Sequence, residues 1–320
     1  MVYTHIPVLL TECLQGLKLK SDGIYLDGTF GRGGHSRAIL AKLGPQGRLY
    51  AFDRDAAAIE AAAPLVAADE RFSITRANFA TLKEQTQALG IYGKLDGILL
   101  DIGISSPQID DPERGFSFEH DGPLDMRMDQ RATLSAQEIV NTYDEGQLAF
   151  IFKTYGEERF AKRAARAIVQ ERARAPITRT RQLAQLLASA IPGAPGPKHK
   201  ATRCFQALRI AVNGELEALR AALAGAVDAL APGGRLCVIS FHSLEDRMVK
   251  NFYQENSTLP DFTRTLPLTE DELYARYGAQ IKLKVIGKPC KAGQEELQRN
   301  IRARSATLRV AERLGVREAA

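Results

Sequence analysis

Asp27, Gly28, Gly31, Gly33, Gly34 and His35 fall within nine residues, directly after the apolar run Ile24-Tyr25-Leu26. An acidic residue opening a turn with four glycines suits a nucleotide-like ligand. The glycines let it lie against bare backbone, and the helix that follows aims its N-terminus at it. Three later residues fit the same ligand. Asp53 closes Tyr50-Ala51-Phe52-Asp53, where a carboxylate can accept hydrogen bonds from both ribose hydroxyls; as a helix N-cap, Asp55 fits better. Phe79, after Asn78, can flank an adenine, and Asp101 closes the run from Leu95. A further group, His242, Glu245 and Asp246, follows the apolar run Arg235 to Phe241. His242 can take up a proton, given an ordinary pKa near 6.5. A loop histidine bonded to a neighbouring carboxylate is an equally good reading of it.

These residues must be held by something, and the hydrophobic pattern says what. Strand-like runs at 24–26, 48–53, 72–77 and 95–101 alternate with helical stretches at 36–43, 56–68 and 81–90. That alternation predicts a parallel α/β sheet whose carboxyl edge carries the turn, Asp53, Phe79 and Asp101 together. The pattern then stops. Residues 102–128 are rich in Gly, Pro, Asp and Ser, and helical stretches follow at 136–143, 146–153, 158–173 and 179–190. The segment from Ile191 to Pro197, with three prolines and two glycines, reads as a linker. A long helix is expected over 201–230, a buried strand over 235–241, and sheet-edge strands at 281–286 and 306–311. The expected organisation is a discontinuous catalytic domain, 1–128 and 201–320, interrupted by a helical insertion, 129–200, for RNA recognition.

Size and composition narrow the class. With 320 residues, 45% hydrophobic and 25% charged, the chain can bury a large core. No run approaches a membrane span, and the first twenty residues do not read as a signal peptide. Cys13, Cys204, Cys237 and Cys290 are widely spaced, so a reduced cytoplasmic protein without structural zinc is expected. The net charge of +5 is concentrated: eight Lys/Arg against three Glu over 157–181, and ten against three over 282–317. Either block alone can be a solvated helix face; two of them point toward a polyanionic partner. Lys162, Arg163 and Arg166, with Lys198, Lys200 and Arg203 at the return of the insertion, are the candidate RNA contacts.

The dinucleotide fingerprint needs G-x-G-x-x-G, and the order Gly28, Gly31, Gly33, Gly34 fails it. A nicotinamide-dependent oxidoreductase is therefore the first rival and the weaker one. The turn resembles the first motif of S-adenosylmethionine-dependent methyltransferases. Longer motifs extend the likeness over nearly the whole chain: His5-Ile6-Pro7-Val8-Leu9-Leu10, Asp101-Ile102-Gly103-Ile104-Ser105-Ser106-Pro107-Gln108, Arg114-Gly115-Phe116-Ser117-Phe118 and Gly122 to Met128. So do Tyr155-Gly156-Glu157-Glu158, Phe205-Gln206-Ala207-Leu208-Arg209 and Ser240 to Arg247. Together they resemble the bacterial 16S rRNA cytosine-N4 methyltransferase family (RsmH, or MraW). The resemblance implies a class I, Rossmann-like methyltransferase sheet and S-adenosylmethionine as cofactor. Its implied target is the N4 amine of cytosine 1402, in standard rRNA numbering, in the decoding centre of the small ribosomal subunit. Implied cofactor contacts are Gly33, Gly34, His35, Asp53, Phe79, Asp101 and Gln108; His35 and Gln108 rest on the resemblance alone. A homodimer is left open.

Cytosine N4 is a poor nucleophile because its lone pair is delocalised, so positioning must supply much of the rate. Many amino-methyltransferases use an Asp/Asn-Pro-Pro-aromatic loop after the fourth strand. Here that loop reads Asp101-Ile102-Gly103-Ile104-Ser105-Ser106-Pro107, which keeps the acid and lacks the rest. Asp101 either orients the amine or binds cofactor only. Asp101 and His242 are the catalytic candidates. The acids Asp110, Asp111, Glu113, Asp121, Asp125 and Asp129 match no calcium-loop spacing, and no metal is expected. Phe116 and Phe118 can stack on a base or anchor their loop to the core. A second rival is an RNA-binding assembly factor without catalysis.

Overall fold

The computed structural model describes residues 6–193, 196 and 199–315, so His5 and Lys198 lie outside the described residues. Two compact units emerge, residues 1–103 with 217–320, and residues 104–216.

In the first unit the chain runs α1 (Leu10–Leu17), β1 (Ile24–Asp27), α2 (Gly34–Leu40), β2 (Arg48–Asp53), α3 (Ala56–Ala68), β3 (Phe72–Arg76), α4 (Leu82–Ala88) and β4 (Leu95–Asp101). In the second come α5 (Ser106–Asp110), α6 (Ala136–Thr142), α7 (Glu145–Thr154), α8 (Ala161–Arg172), α9 (Thr180–Ala190) and α10 (Thr202–Asn213). After α11 (Glu215–Ala229) the first unit resumes with β5 (Leu230–Ser240), α12 (Ser243–Glu255), α13 (Glu270–Tyr277), β6 (Leu283–Lys291), α14 (Gln294–Arg299) and β7 (Thr307–Arg313).

The seven strands form one sheet in the order β3-β2-β1-β4-β5-β7-β6. Strands β1 to β5 are parallel; β7 is antiparallel to β5 and to β6. Alternate residues serve opposite faces. Tyr25, Leu49 and Leu99 join a core with Leu9, Cys13, Leu17 and Ile39. Leu26, Phe52, Ile98 and Leu100 join another with Leu82, Leu223 and Val249. Burying each such side chain contributes roughly 1.5–3 kcal/mol, which fixes the register, because a one-residue slip would invert every strand face. The strand order reverses at β1, with β2 and β3 on one side and β4 and β5 on the other. Open α/β sheets form their ligand crevice at such a reversal, outside the carboxyl ends of the strands.

Two expectations need correction. The single helix over 201–230 is two helices, because Gly214 adopts a left-handed conformation (φ +56°) and its N–H caps α10 on Ile210. Glycine takes that conformation without a Cβ clash. Of the two late strands only β6 is at an edge; β7 is interior, with Leu308 and Ala311 buried.

The second unit gathers α6 to α10 around Ile139, Leu148, Phe152, Leu183 and Leu208. It extends beyond 129–200 because Phe116, Leu124, Met126 and Met128 enter the same core from the preceding loop, and Phe205 enters from α10. No described helix is long and apolar enough to cross a membrane.

Candidate cofactor and catalytic site

The glycine turn is bound to both strands that flank the reversal. Gly28 N–H donates to Leu99 O (2.9 Å), Phe30 N–H to Phe52 O (3.0 Å), and Asp101 N–H to Thr29 Oγ1 (2.7 Å). Gly33 has φ +73°, and a Cβ there would meet the Phe30 ring at 2.6 Å. Phe79 lies beside the turn: a Cβ on Gly28 would come 3.5 Å from that of Phe79. Helix α2 starts at Gly34, two residues earlier than expected, so His35 sits in its first turn, buried.

Asp53 braces the turn from β2. Its Oδ2 accepts from Gly31 N–H (2.8 Å) and its Oδ1 from Asp55 N–H (2.9 Å). Each oxygen retains acceptor capacity for a hydroxyl. Asp55 caps α3 by accepting from Ala57 N–H, which leaves Asp53 to the turn.

Asp101 lies where the charges of both Asp27 and Glu245 reach it. Asp27 is buried; Ser36 Oγ donates to its Oδ2 (2.6 Å), and burial still holds its carboxyl above the usual range. Burial pushes Asp101 up to about 8, reinforced by the charges of Asp27 and Glu245. Burial likewise raises Asp53. His35 moves the other way, down to about 4, because burial disfavours its cation. Its Nε2 lies 2.9 Å from Val8 O, which assigns the ring proton to Nε2 and leaves Nδ1 as an acceptor 3.6 Å from Asp101 Oδ2. Proximity suggests an ion pair here, but the two protonation tendencies argue against one. At neutral pH the contact is a protonated acid facing a neutral imidazole. Carboxyls raised by burial, with the neighbouring acids adding to the shift of Asp101, form a site that a cation would relieve. A sulfonium-bearing nucleoside fits on both counts, with Asp53 for its ribose and Asp27 and Asp101 for its charge.

His242 is the N-cap of α12. Glu245 N–H donates to its Nδ1 (3.4 Å), and Glu245 Oε2 accepts from the backbone N–H of Phe241 (2.9 Å) and His242 (3.3 Å). With Nδ1 accepting, the proton resides on Nε2, 3.0 Å from Glu245 Oε1. In this geometry His242 serves as the cap of α12. Asp246 faces Arg309 in a two-pronged contact (2.8 and 2.9 Å) that holds its carboxyl low.

Gln108 belongs to the other compact unit, where its Oε1 accepts from Ser105 N–H (3.0 Å) and closes the capping box of α5. In that unit Lys162, Arg163, Arg166 and Arg203 are exposed and Lys200 is half-buried. The turn before α8 is tied to α10, with Arg203 Nη1 donating to Glu157 O and Gln206 Nε2 to Tyr155 O, both at 3.2 Å. Arg203 thereby joins the N-terminal end of the basic helix. The acidic loop is no acid cluster. Asp121 pairs with Arg179 (3.0 Å), Asp125 with Arg127 (2.7 Å) and Asp129 with Arg131 (2.7 Å), while Asp111 caps a short 3₁₀ turn. Phe116 is buried as an anchor; Phe118 packs edge-on against Phe205, centroids 4.7 Å apart.

Sequence reasoning marked Asp27 and Glu245 by position only, without a role in the charge of the site, and passed over Ser36. Asp27 and Ser36 were visible as polar residues at the end of a buried strand and one turn into its helix. Glu245 carried a signal as well, three residues after His242 in a capping-box spacing.

Residues 2–314 match the MraW methylase family. Among solved structures the chain is similar to an rRNA methylase from Streptococcus thermophilus, at 12% identity over 98% of this chain and 100% of that one, TM-score 0.39. It is similar to TrmN from Thermus thermophilus (13%, 96% and 48%, TM-score 0.42). A SAM-dependent O-methyltransferase from Thermotoga maritima is similar at 11% identity, over 97% and 66%, TM-score 0.40.

Proposed function

Because this chain belongs to the MraW methylase family, and so is an S-adenosylmethionine-dependent rRNA methyltransferase, we propose that it methylates the N4 amine of the decoding-centre cytosine of 16S rRNA in the cytoplasm. The observation that best supports a cationic cofactor at this site is the Asp27–Asp101 carboxyl pair, both raised, beside neutral His35 at the strand reversal.

When bound, S-adenosylmethionine supplies a methyl group already activated by a positive sulfur. The protein's task is then binding, orientation and proton handling. Gly33 and Gly34 leave backbone open to the cofactor. Asp53 takes the ribose hydroxyls, Phe79 flanks the adenine, and His35 and Gln108 complete the contacts that the family implies. Asp101 answers the cationic end first, and losing its proton there gives it the charge to orient an amine. His242 shapes the loop after β5 through its cap on α12. Lys162, Arg163, Arg166, Lys200 and Arg203 hold RNA phosphates in this reading, and Lys198 is a further candidate. The target base must be unstacked to reach the site.

The deciding experiment is transfer of a labelled methyl group to small subunits that lack the mark, with mass spectrometry of the modified nucleotide. N4-methylcytosine in the decoding centre is expected. Bound cofactor without incorporation would favour the assembly-factor reading. Charge reversal at Lys162, Arg163 and Arg166 is expected to weaken RNA binding and leave cofactor affinity intact, as read by filter binding and calorimetry.

A further inference from the structure

The second basic block, 282–317, is not used by the cofactor site. Three of its four lysines, at positions 284, 288 and 291, fall on β6, the exposed edge of the sheet. Strand β6 runs in the same direction as β5, because each is antiparallel to β7. Thr307 pairs with both Ser240 and Lys291, so Lys291 ends at the carboxyl edge of the sheet, level with the end of β5. Two strand spacings of ~4.8 Å separate them.

Beneath this edge lies a pocket of about 170 Å³ between α12 and β6, lined by Lys250, Gln254, Ser257, Lys288 and Arg309 among others. At ~30 Å³ per water of liquid volume, that admits a phosphate group. Charge balance there is positive. Arg309 is neutralised by Asp246, whose carboxylate is also drawn down by the charge of Lys291; among the described residues no ion pair is found for Lys250, Lys284 or Lys288. Lys282 shows the contrast, since it pairs with Asp228 at 3.1 Å. The strand is also poorly suited to pairing with another strand. Its register shifts between Ile286 and Cys290, Gly287 has φ +67°, and Pro289 lacks a donor.

We propose that β6 and α12 form a track for the RNA backbone on the sheet unit, with Lys250 and Lys288 holding one phosphate in the pocket and Lys291 continuing along the strand to the cofactor edge. This rests on the rRNA reading above and adds to it a second, sequence-independent contact, separate from the basic helix α8. Backbone contacts of this kind set affinity and register without reading bases.

The test is titration of the full chain with a single-stranded RNA that spans the target, by fluorescence anisotropy at several salt concentrations. K250Q/K288Q is compared with wild type and with K162Q/R163Q. Loss of one phosphate contact should lower the log–log salt slope by about 0.7, weaken target and unrelated RNA alike, and leave S-adenosylhomocysteine affinity unchanged. A salt slope and RNA affinity equal to wild type in K250Q/K288Q would overturn the track, even where K162Q/R163Q binds RNA more weakly. Failure of wild type to bind or methylate any RNA would instead overturn the underlying reading. A change of oligomeric mass by sedimentation in K250Q/K288Q, with RNA affinity unmoved, would assign the edge to a second copy of this chain and also overturn the track.

Discussion

Two sets of carboxylates in this chain look alike in the sequence and behave oppositely in the structure. At the sheet edge Asp27, Asp53 and Asp101 are pushed upward by burial, and repulsion from neighbouring acids adds to this for Asp53 and Asp101. In the loop of the other unit Asp121 is drawn low by the backbone N–H of Arg181 and by Arg179. For Asp125 burial pushes upward, and the Arg127 side chain and backbone outweigh it. An acid with its own arginine is finished as structure. An acid without one is an invitation to a cation, and only the first set has the geometry of a ligand site.

The largest effect that can break this contrast is on cofactor binding. Two charge-assisted hydrogen bonds that Asp53 accepts from ribose hydroxyls are worth roughly 1.5–3 kcal/mol each. Asp53→Ala should therefore weaken S-adenosylhomocysteine about 100-fold or more in calorimetry. Asp125→Ala should leave that affinity within about twofold. Equal losses in the two variants would erase the distinction.

Next in size is a pH effect on S-adenosylmethionine. Asp101 binds a proton up to about 8 in the free protein, and a cation beside it favours the charged form. Affinity should rise with pH, by at most about tenfold per unit, and level off above about 8. Proton release should appear in calorimetry as a dependence on buffer ionisation enthalpy. Asp101→Asn should remove both.

How much of this contrast was legible depends on which interactions are local. Strands β1, β2 and β4 each close on an Asp and β3 on Arg76, and their positions follow from the apolar runs to within a residue. The pairs Asp125–Arg127 and Asp129–Arg131 are two residues apart and could have been read directly. Asp121–Arg179 spans 58 residues, and no local pattern announces it. Pairing of β7 inside the sheet is equally non-local. The break at Gly214 was hidden because the apolar period continues across it from α10 to α11. The raised state of Asp101 depends on three chain segments meeting, at Asp27, Asp101 and Glu245. The motif marks the residue, and only the fold gives it its charge state.

A smaller effect sharpens the contrast through stability. Asp101 has a raised folded pKa, so its contribution is fully present below its unfolded value of 3.8 and is lost as pH rises toward about 8. Asp125 has a depressed folded pKa, so its contribution is present above the unfolded value and is lost as pH falls through the folded one. Asp101→Asn should raise Tm at pH 8 and not at pH 4, by on the order of a few degrees. Asp125→Asn should lower Tm at pH 8, less so at 0.5 M salt because the pair is half-exposed. The same sign in both variants would show that the two sets are electrostatically equivalent.

The smallest expected change concerns His242, which stands near the first set without sharing its character. Its Nδ1 accepts from Glu245 N–H and its Nε2 is buried 3.0 Å from Glu245 Oε1 without a hydrogen bond between them, so in this geometry neither nitrogen reaches a substrate proton. Asparagine is among the best N-cap residues and cannot act as a base near neutral pH. His242→Asn should therefore keep Tm within about a degree and kcat within a few-fold, with an unchanged pH profile. His242→Ala should cost about 1 kcal/mol of stability through the lost cap. A Tm preserved in His242→Asn together with a kcat reduced 100-fold or more would return the proton to His242, because the cap would be intact and only the base removed. That outcome would also mean that the ring leaves Glu245 during turnover, joining His242 to the carboxyls whose protonation serves the reaction.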